Sequence, residues 1–252
     1  MKKVLLNGTV VAGLFLFLSC GNKLDLASKL YKELDLTATP NALTAKEKES
    51  GWQLLFDGKT YDGWRGYNMQ EIPDVWIIED GCMTLHGIGG HQAQDIITDG
   101  IYRDFAFTVE YKLSKSSNSG VFFQVKEDAN YGFPFETGPE FQLIDHDDYP
   151  EELEDWQIHG ANYAMYPPKA KPYNPIGEWN RLFLVVKGNH VTQMINGVEV
   201  VSYEKYSDEW NTLRNSGKWR KYPDFGKFDE GHISIQNHGT KLWFRNIKIK
   251  LL

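Results

Sequence analysis

From Trp52 onward, apolar and polar residues alternate in short runs separated by Gly, Asn, Asp and Pro. The run from Phe105 to Leu113 is apolar at its odd positions, with Thr108, Glu110 and Lys112 between them. Successive side chains of a strand point to opposite faces, so this pattern predicts a half-buried strand with one wet face. Residues 121–125, 181–187 and 191–195 read the same way, and 232–238 and 241–250 close the chain as two more strands. Asn196-Gly197 sits between two such runs, and this dipeptide accepts the positive φ of a tight hairpin turn. Helical signals are few. Ser207 can cap a short helix over 208–214, and Thr44-Ala45-Lys46-Glu47 has the spacing of a capping box. Many short strands with little helix predict an all-β chain: a jelly-roll sandwich of two antiparallel sheets with a concave ligand face.

Before Trp52 the pattern changes. Lys2 and Lys3 precede a mostly apolar run to Leu18, followed by Ser19, Cys20 and Gly21. Basic, then apolar, then small is the plan of an export signal. A Cys after the small residue resembles the lipobox of bacterial lipoproteins, in which the thiol is acylated and the preceding residues are removed. The alternative is an ordinary signal with an incidental Cys. The expected organisation is a signal peptide at 1–19, a tether at 20–44 with loose helical periodicity, and one sandwich domain at 45–252. The chain is expected to be exported and lipid-anchored to the cell envelope, at the periplasmic face or the outer membrane.

Composition narrows the partners. Asp plus Glu number 34 against 27 Lys plus Arg, a net charge of −7. Loss of Lys2 and Lys3 with the signal would give −9 (−7 minus 2). That balance argues against a nucleic-acid partner, which would want a basic face. Membrane contact is expected through the lipid anchor only, and nothing in the pattern names a protein partner. After Cys20 only Cys82 remains, so the mature chain can form no internal disulfide. Eight Trp suit a carbohydrate site, because aromatic rings stack on the apolar C–H faces of sugars; core packing explains Trp equally well.

Two segments hold the candidate chemistry. In Glu140-Phe141-Gln142-Leu143-Ile144, Phe141 and Leu143 share one face, so Glu140 and Gln142 share the other. Asp145 then begins an acidic loop that either coordinates a hard cation or is simply solvated. In the second segment Ile233 and Ile235 face the core, which puts Gln236 and His238 on the wet face. A His beside a carboxylate can act as a general acid or base, or can merely hydrogen-bond in the turn before Gly239. Arg245 shares parity with Ile247 and Ile249. An Arg on an apolar face needs a carboxylate, with Glu110 and Glu140 as candidates, for a structural pair or for ligand binding. Gly87-Ile88-Gly89-Gly90 lacks a strand-to-helix context and reads as a flexible turn.

Several motifs together resemble one family. They are Gly51-Trp52-Gln53-Leu54-Leu55-Phe56-Asp57-Gly58-Lys59 with Asp62-Gly63-Trp64, Asn118-Ser119-Gly120-Val121-Phe122-Phe123, Glu140 to Asp145, Gly177-Glu178-Trp179-Asn180, Asn196-Gly197, and Gly231 to Gly239 followed by Phe244-Arg245-Asn246-Ile247. In that order, over about Trp52 to Leu252, they resemble the 3-keto-disaccharide hydrolase domain family. The resemblance implies a concanavalin A-like sandwich and hydrolysis of glycosides already oxidised to a ketone at sugar C3, for which elimination of the C1 oxygen followed by hydration is the expected route. It implies Glu140, His238 and Asp145 as catalytic candidates, and Gln142, Gln236, Arg245 and Glu110 as substrate-binding candidates. A divalent metal held by Asp145 or His238 could share the electrophilic role. The alternatives are a carbohydrate-binding module without chemistry, or a glycosidase acting on unoxidised glycan.

Overall fold

The computed structural model describes residues 23–85 and 94–252. The expected signal peptide, Cys20 and the Gly87-Ile88-Gly89-Gly90 turn lie outside the described residues. Five short strands come first: β1 (Trp52–Leu54), β2 (Trp64–Gly66), β3 (Trp76–Glu79), β4 (Cys82–Leu85) and β5 (Ile96–Thr98). The longer ones are β6 (Phe105–Leu113), β7 (Asn118–Val125), β8 (Glu140–Ile144), β9 (Trp179–Lys187), β10 (His190–Ile195) and β11 (Val198–Glu204). β12 (His232–Ile235) and β13 (Leu242–Leu251) close the chain. The α-helices are α1 (Lys23–Tyr31), α2 (Ala45–Glu49) and α3 (Asp208–Arg214).

The strands pair antiparallel in two sheets. The larger runs β11-β10-β9-β6-β13-β4-β3, with β1 also on β13; the smaller runs β2-β5-β12-β7-β8. One parity of each strand makes the core. Phe105, Phe107, Val109, Leu182, Leu184 and Ile249 meet Val121, Phe123, Phe141, Leu143, Ile233 and Ile235 between the sheets. Each such side chain contributes about 1.5–3 kcal/mol on full burial. Asn196 and Gly197, at φ 49° and 82°, turn β10 into β11 as the dipeptide predicts. Ser207 caps α3, its hydroxyl accepting from Trp210 N at 3.2 Å.

Two expectations change. The second face of β6 is not fully wet: Ala106 is buried with Phe183, Val185 and Met194 beneath Ala27, Leu30, Leu34 and Trp52. The stretch expected as a tether is thus, from Leu26 on, an arm docked on the outer face of the larger sheet. Its leucine periodicity is the apolar stripe that docks it. Two ion pairs fix its register. Lys248 Nζ donates to both Glu47 oxygens at 2.8 Å, with both side chains fully buried, and Lys250 Nζ donates to Glu33 at 2.6 Å. Removing one partner of a buried pair strands a charge, which costs about 3–5 kcal/mol. Second, β12 ends at Ile235, short of His238. The residues from Gln236 on leave the ladder as a turn. Among the described residues no helix is long and apolar enough to cross a membrane.

Candidate active site

The outer face of the smaller sheet carries a cavity of about 270 Å³. It is lined by Asp95, Asn118, Phe133, Phe135, Glu140, Gln142, Tyr163, Lys218, Gln236, Asn237 and His238. Four of these were expected on one face from sequence parity: Glu140, Gln142, Gln236 and His238. Their neighbours Phe141, Leu143 and Ile235 are fully buried in the core, and the pleat sends the alternate residues outward.

Each wall is built locally. Gly120 of β7 lies opposite Gln142, and the Glu140 side chain crosses over it: a Cβ at Gly120 would lie 2.8 Å from Glu140 Cγ. Tyr163 N donates to Glu140 O at 3.0 Å and Gln142 N to Ala161 O at 3.0 Å, so the 160–163 segment runs along β8 and brings Tyr163 to the cavity. The turn after β12 is tied down on both sides. Asn237 N donates to Asp95 Oδ1 at 2.8 Å, and Gln236 N to Gly120 O at 2.9 Å. Thr240 and Asn118 exchange two bonds, at 2.9 and 3.0 Å. Lys218 sits in a 3-10 turn, Gly217–Lys221, anchored by its neighbour Trp219, which stacks on Phe225 with ring centroids 3.6 Å apart. The Lys218 ammonium lies 4.5, 4.7 and 4.8 Å from the ring centroids of Phe135, Tyr163 and Trp219.

The electrostatics are unusual for three charged groups in one cavity. Burial pushes the Glu140 carboxyl up to about 8, against the opposing pull of Lys218. Burial pushes Asp95 up to about 7, with the Asn237 N–H opposing. Burial lowers the Lys218 ammonium, and the Glu140 charge partly restores it. Among the described residues, the Glu140 carboxyl accepts no hydrogen bond and the Lys218 ammonium donates none. Three amide oxygens of the cavity, Asn118 Oδ1, Gln142 Oε1 and Gln236 Oε1, also lack a partner among the described residues. Buried polar atoms are nearly always paired, so these acceptors are open to water or to a ligand that brings donors. A sugar, with a hydroxyl on most carbons, is such a ligand.

Other sequence candidates lie elsewhere. Asp145 borders a different, smaller cavity of about 60 Å³, where its Oδ2 accepts from Ser116 N at 2.7 Å. It shapes a loop, because β8 ends before it and the pleat no longer governs its direction. Asp145 and His238 therefore do not share a site, and among the described residues no three His, Cys, Asp or Glu side chains gather as a metal cluster. The smaller cavity also holds His159, buried and pushed down to about 3 by that burial.

Arg245 and Glu110 are on the outer face of the larger sheet. Arg245 Nε donates to Glu110 Oε2 at 2.7 Å, Arg181 holds Glu110 Oε1, and the Arg245 guanidinium lies 3.8 Å from the Trp179 ring centroid. That cluster lies across the sandwich from the cavity and borders a separate opening of about 320 Å³. None of the eight Trp lines the cavity; its aromatic walls are Phe133, Phe135 and Tyr163.

Sequence reasoning missed Asp95, Asn118, Phe133, Phe135, Tyr163, Lys218 and Asn237 as site residues. Asp95 carried a signal: it shares parity with Ile97, one residue ahead of a fully apolar pair. Lys218 carried none, since its turn is placed only by the packing of Trp219.

The sequence profile of the 3-keto-alpha-glucoside-1,2-lyase-like domain matches residues 51–250. A 3-keto-disaccharide hydrolase of Bacteroides thetaiotaomicron is 34% identical over 228 residues, 80% of this chain and 79% of that protein. A crystal structure from Parabacteroides distasonis, described as a candidate glycosyl hydrolase, is 41% identical with a TM-score of 0.80, covering 85% of this chain and 100% of that one. A second such structure from that organism is 24% identical with a TM-score of 0.62, covering 80% and 99%, and shares the fold.

Proposed function

The chain belongs to the 3-keto-alpha-glucoside-1,2-lyase-like domain family, and on that premise we propose that it hydrolyses glycosides whose sugar carries a ketone at C3. The relationship makes it a carbohydrate-cleaving hydrolase. The observation that supports the finer reading is the presence, in one cavity, of a buried carboxyl and an ammonium that make no hydrogen bond among the described residues.

The chemistry follows from the substrate. A C3 ketone acidifies the C2 hydrogen and places the C1 oxygen β to the carbonyl. Glu140, whose raised pKa makes it a stronger base once ionised, removes the C2 proton. Charge develops on the C3 oxygen, which Lys218 receives. The C1–O bond breaks, and Asp95, whose carboxyl burial holds well above the usual carboxylate range, gives the leaving oxygen its proton. Water then adds across the enone, and the free 3-keto sugar results. Gln142, Gln236 and Asn118 accept from sugar hydroxyls, and His238 completes the polar wall. No glycosyl cation forms, so the carboxylate pair of ordinary glycosidases is not required.

A second reading has one observation in its favour. Asp95 and Glu140 are two buried carboxyls in one cavity, and such a pair can cleave an unoxidised glycoside by direct displacement. One assay separates the readings. The protein is incubated with a 3-keto disaccharide and with its unoxidised parent. Release from the keto sugar alone is expected; release from the parent favours displacement, and binding without release favours a binding module. Turnover in heavy water should place deuterium at C2 of the product beyond substrate and product blanks. Deuterium at blank level would exclude elimination.

We also propose that Cys20 is the acylated mature N-terminus. Only two residues separate it from α1, whose helix leads into the arm docked on the larger sheet. The cavity opens on the opposite sheet. Acyl chains at Cys20 would therefore hold the domain with its cavity turned away from the membrane.

A further inference from the structure

Phe133 stands at the mouth of the cavity, 39% exposed although its ring is large and apolar. A lone exposed apolar residue needs no explanation. Phe133 differs because it is held in place. Its ring stacks on Phe135, with centroids 5.1 Å apart and planes 19° apart. Phe135 in turn packs edge-on against Tyr222 at 5.1 Å. The backbone is fixed as well. Gly132 N and Phe133 N both donate to Glu136 Oε1, at 2.7 and 3.0 Å, and Pro134 opens the turn that follows. Tyr131 closes the loop on the body, its hydroxyl donating to Asp224 at 2.9 Å. A rigid aromatic ring is thus backed on one face and open on the other, beside a polar cavity.

The size of the cavity gives that ring a use. At about 270 Å³ it falls just below the roughly 300–1,000 Å³ of pockets that enclose drug-sized ligands. It has room for the sugar ring that reacts, so the group leaving from C1 must lie at the mouth. We propose that Phe133, backed by Phe135, is the platform on which the leaving group rests. It selects glycosides whose leaving group presents a flat apolar face, a second pyranose ring or an aryl ring, over those that release a small alcohol. This inference rests on the hydrolase reading above. It adds a specificity residue remote from the bonds that change.

The test compares two substrates, a 3-keto disaccharide and the 3-keto methyl glycoside of the same sugar. Wild type is expected to favour the disaccharide in kcat/KM. In Phe133→Ala the ratio of the two kcat/KM values should fall about five- to tenfold, the worth of one aromatic stack, with the loss mainly in KM for the disaccharide. Phe133→Tyr, which keeps the ring, should keep the ratio. Far-ultraviolet circular dichroism and Tm check that the variants fold. A ratio unchanged in Phe133→Ala, or one that falls equally in Phe133→Tyr, overturns the platform. If wild type releases sugar from neither substrate, the activity reading fails by itself. The ratio of calorimetric affinities for the two ligands then decides the platform by the same criterion.

Discussion

The Glu140 side chain lies over Gly120 of the neighbouring strand, where a Cβ would come within 2.8 Å of its Cγ and 2.9 Å of its Cδ. The carboxyl can cross the sheet at this point because its neighbour has no side chain. A glycine of the Asn118-Ser119-Gly120 motif and the base of the proposed reaction are thus two halves of one arrangement.

Gly120→Ala should therefore act on the chemistry. The added methyl must push Glu140 aside, at a cost of about 1–3 kcal/mol for overpacking. The chain should still fold, with Tm lowered by some degrees and kcat lowered at least tenfold. Steady-state kinetics beside a thermal melt would show this, and an unchanged kcat would count against Glu140 as the base.

Glu140→Gln preserves shape and removes the base. Activity on the keto substrate should drop by about 10²–10⁴-fold while the fold stays intact. Release at the wild-type rate would remove Glu140 from the mechanism.

Asp95 and Glu140 also predict how stability depends on pH. Both carboxyls have folded-state pKa values above those of an unfolded chain, about 7 and about 8. Below about pH 3, under the unfolded-chain values, both states hold these protons, and the two groups cost the fold little. As pH rises toward 8 the unfolded chain releases its protons freely, while the fold must retain them or bury charge, so stability falls. Asp95→Asn keeps an oxygen for Asn237 N and removes the charge. Its Tm should match wild type at about pH 3 and exceed it increasingly as pH rises to about 7. A Tm difference that does not grow with pH would contradict the burial of this carboxyl.

Lys218→Met keeps much of the side-chain volume in its aromatic cage and removes the cation. It should slow turnover by roughly 10²-fold or more, as loss of an oxyanion donor does. It should also move the acid limb of the pH–rate profile to higher pH, because the Lys218 charge is what restrains the Glu140 pKa. A rate loss without that displacement would leave Lys218 a packing residue.

Arg245 provides the contrast. It braces Glu110 and Trp179 on the far sheet, so Arg245→Met should lower Tm while kcat and KM on the keto substrate stay within about twofold. A specific loss of kcat would return Arg245 to the list of site candidates. For Cys20, replacement by Ala should move the protein from the membrane fraction to the soluble fraction of cells; unchanged fractionation would end the lipoprotein proposal.

The alternation of Phe105–Leu113, the Asn196-Gly197 turn and the Ser207 cap were legible in the sequence because each depends on neighbours a few residues away. So was the pairing of faces that sends Glu140, Gln142 and Gln236 outward while Phe141, Leu143 and Ile235 turn in. That much follows from the pleat alone. What the chain could not reveal is which outward-facing residues meet. Glu110 and Glu140 both lie on strands near an Arg or Lys distant in sequence, and only the order of strands puts them on opposite faces of the sandwich. Asp145 follows Ile144 directly, yet the end of β8 turns it into another cavity. Lys218 arrives from an irregular turn, carried in by the burial of Trp219 against Phe225. Local rules set the direction of a side chain; long-range packing, whose energy is spread over the whole core, sets its company.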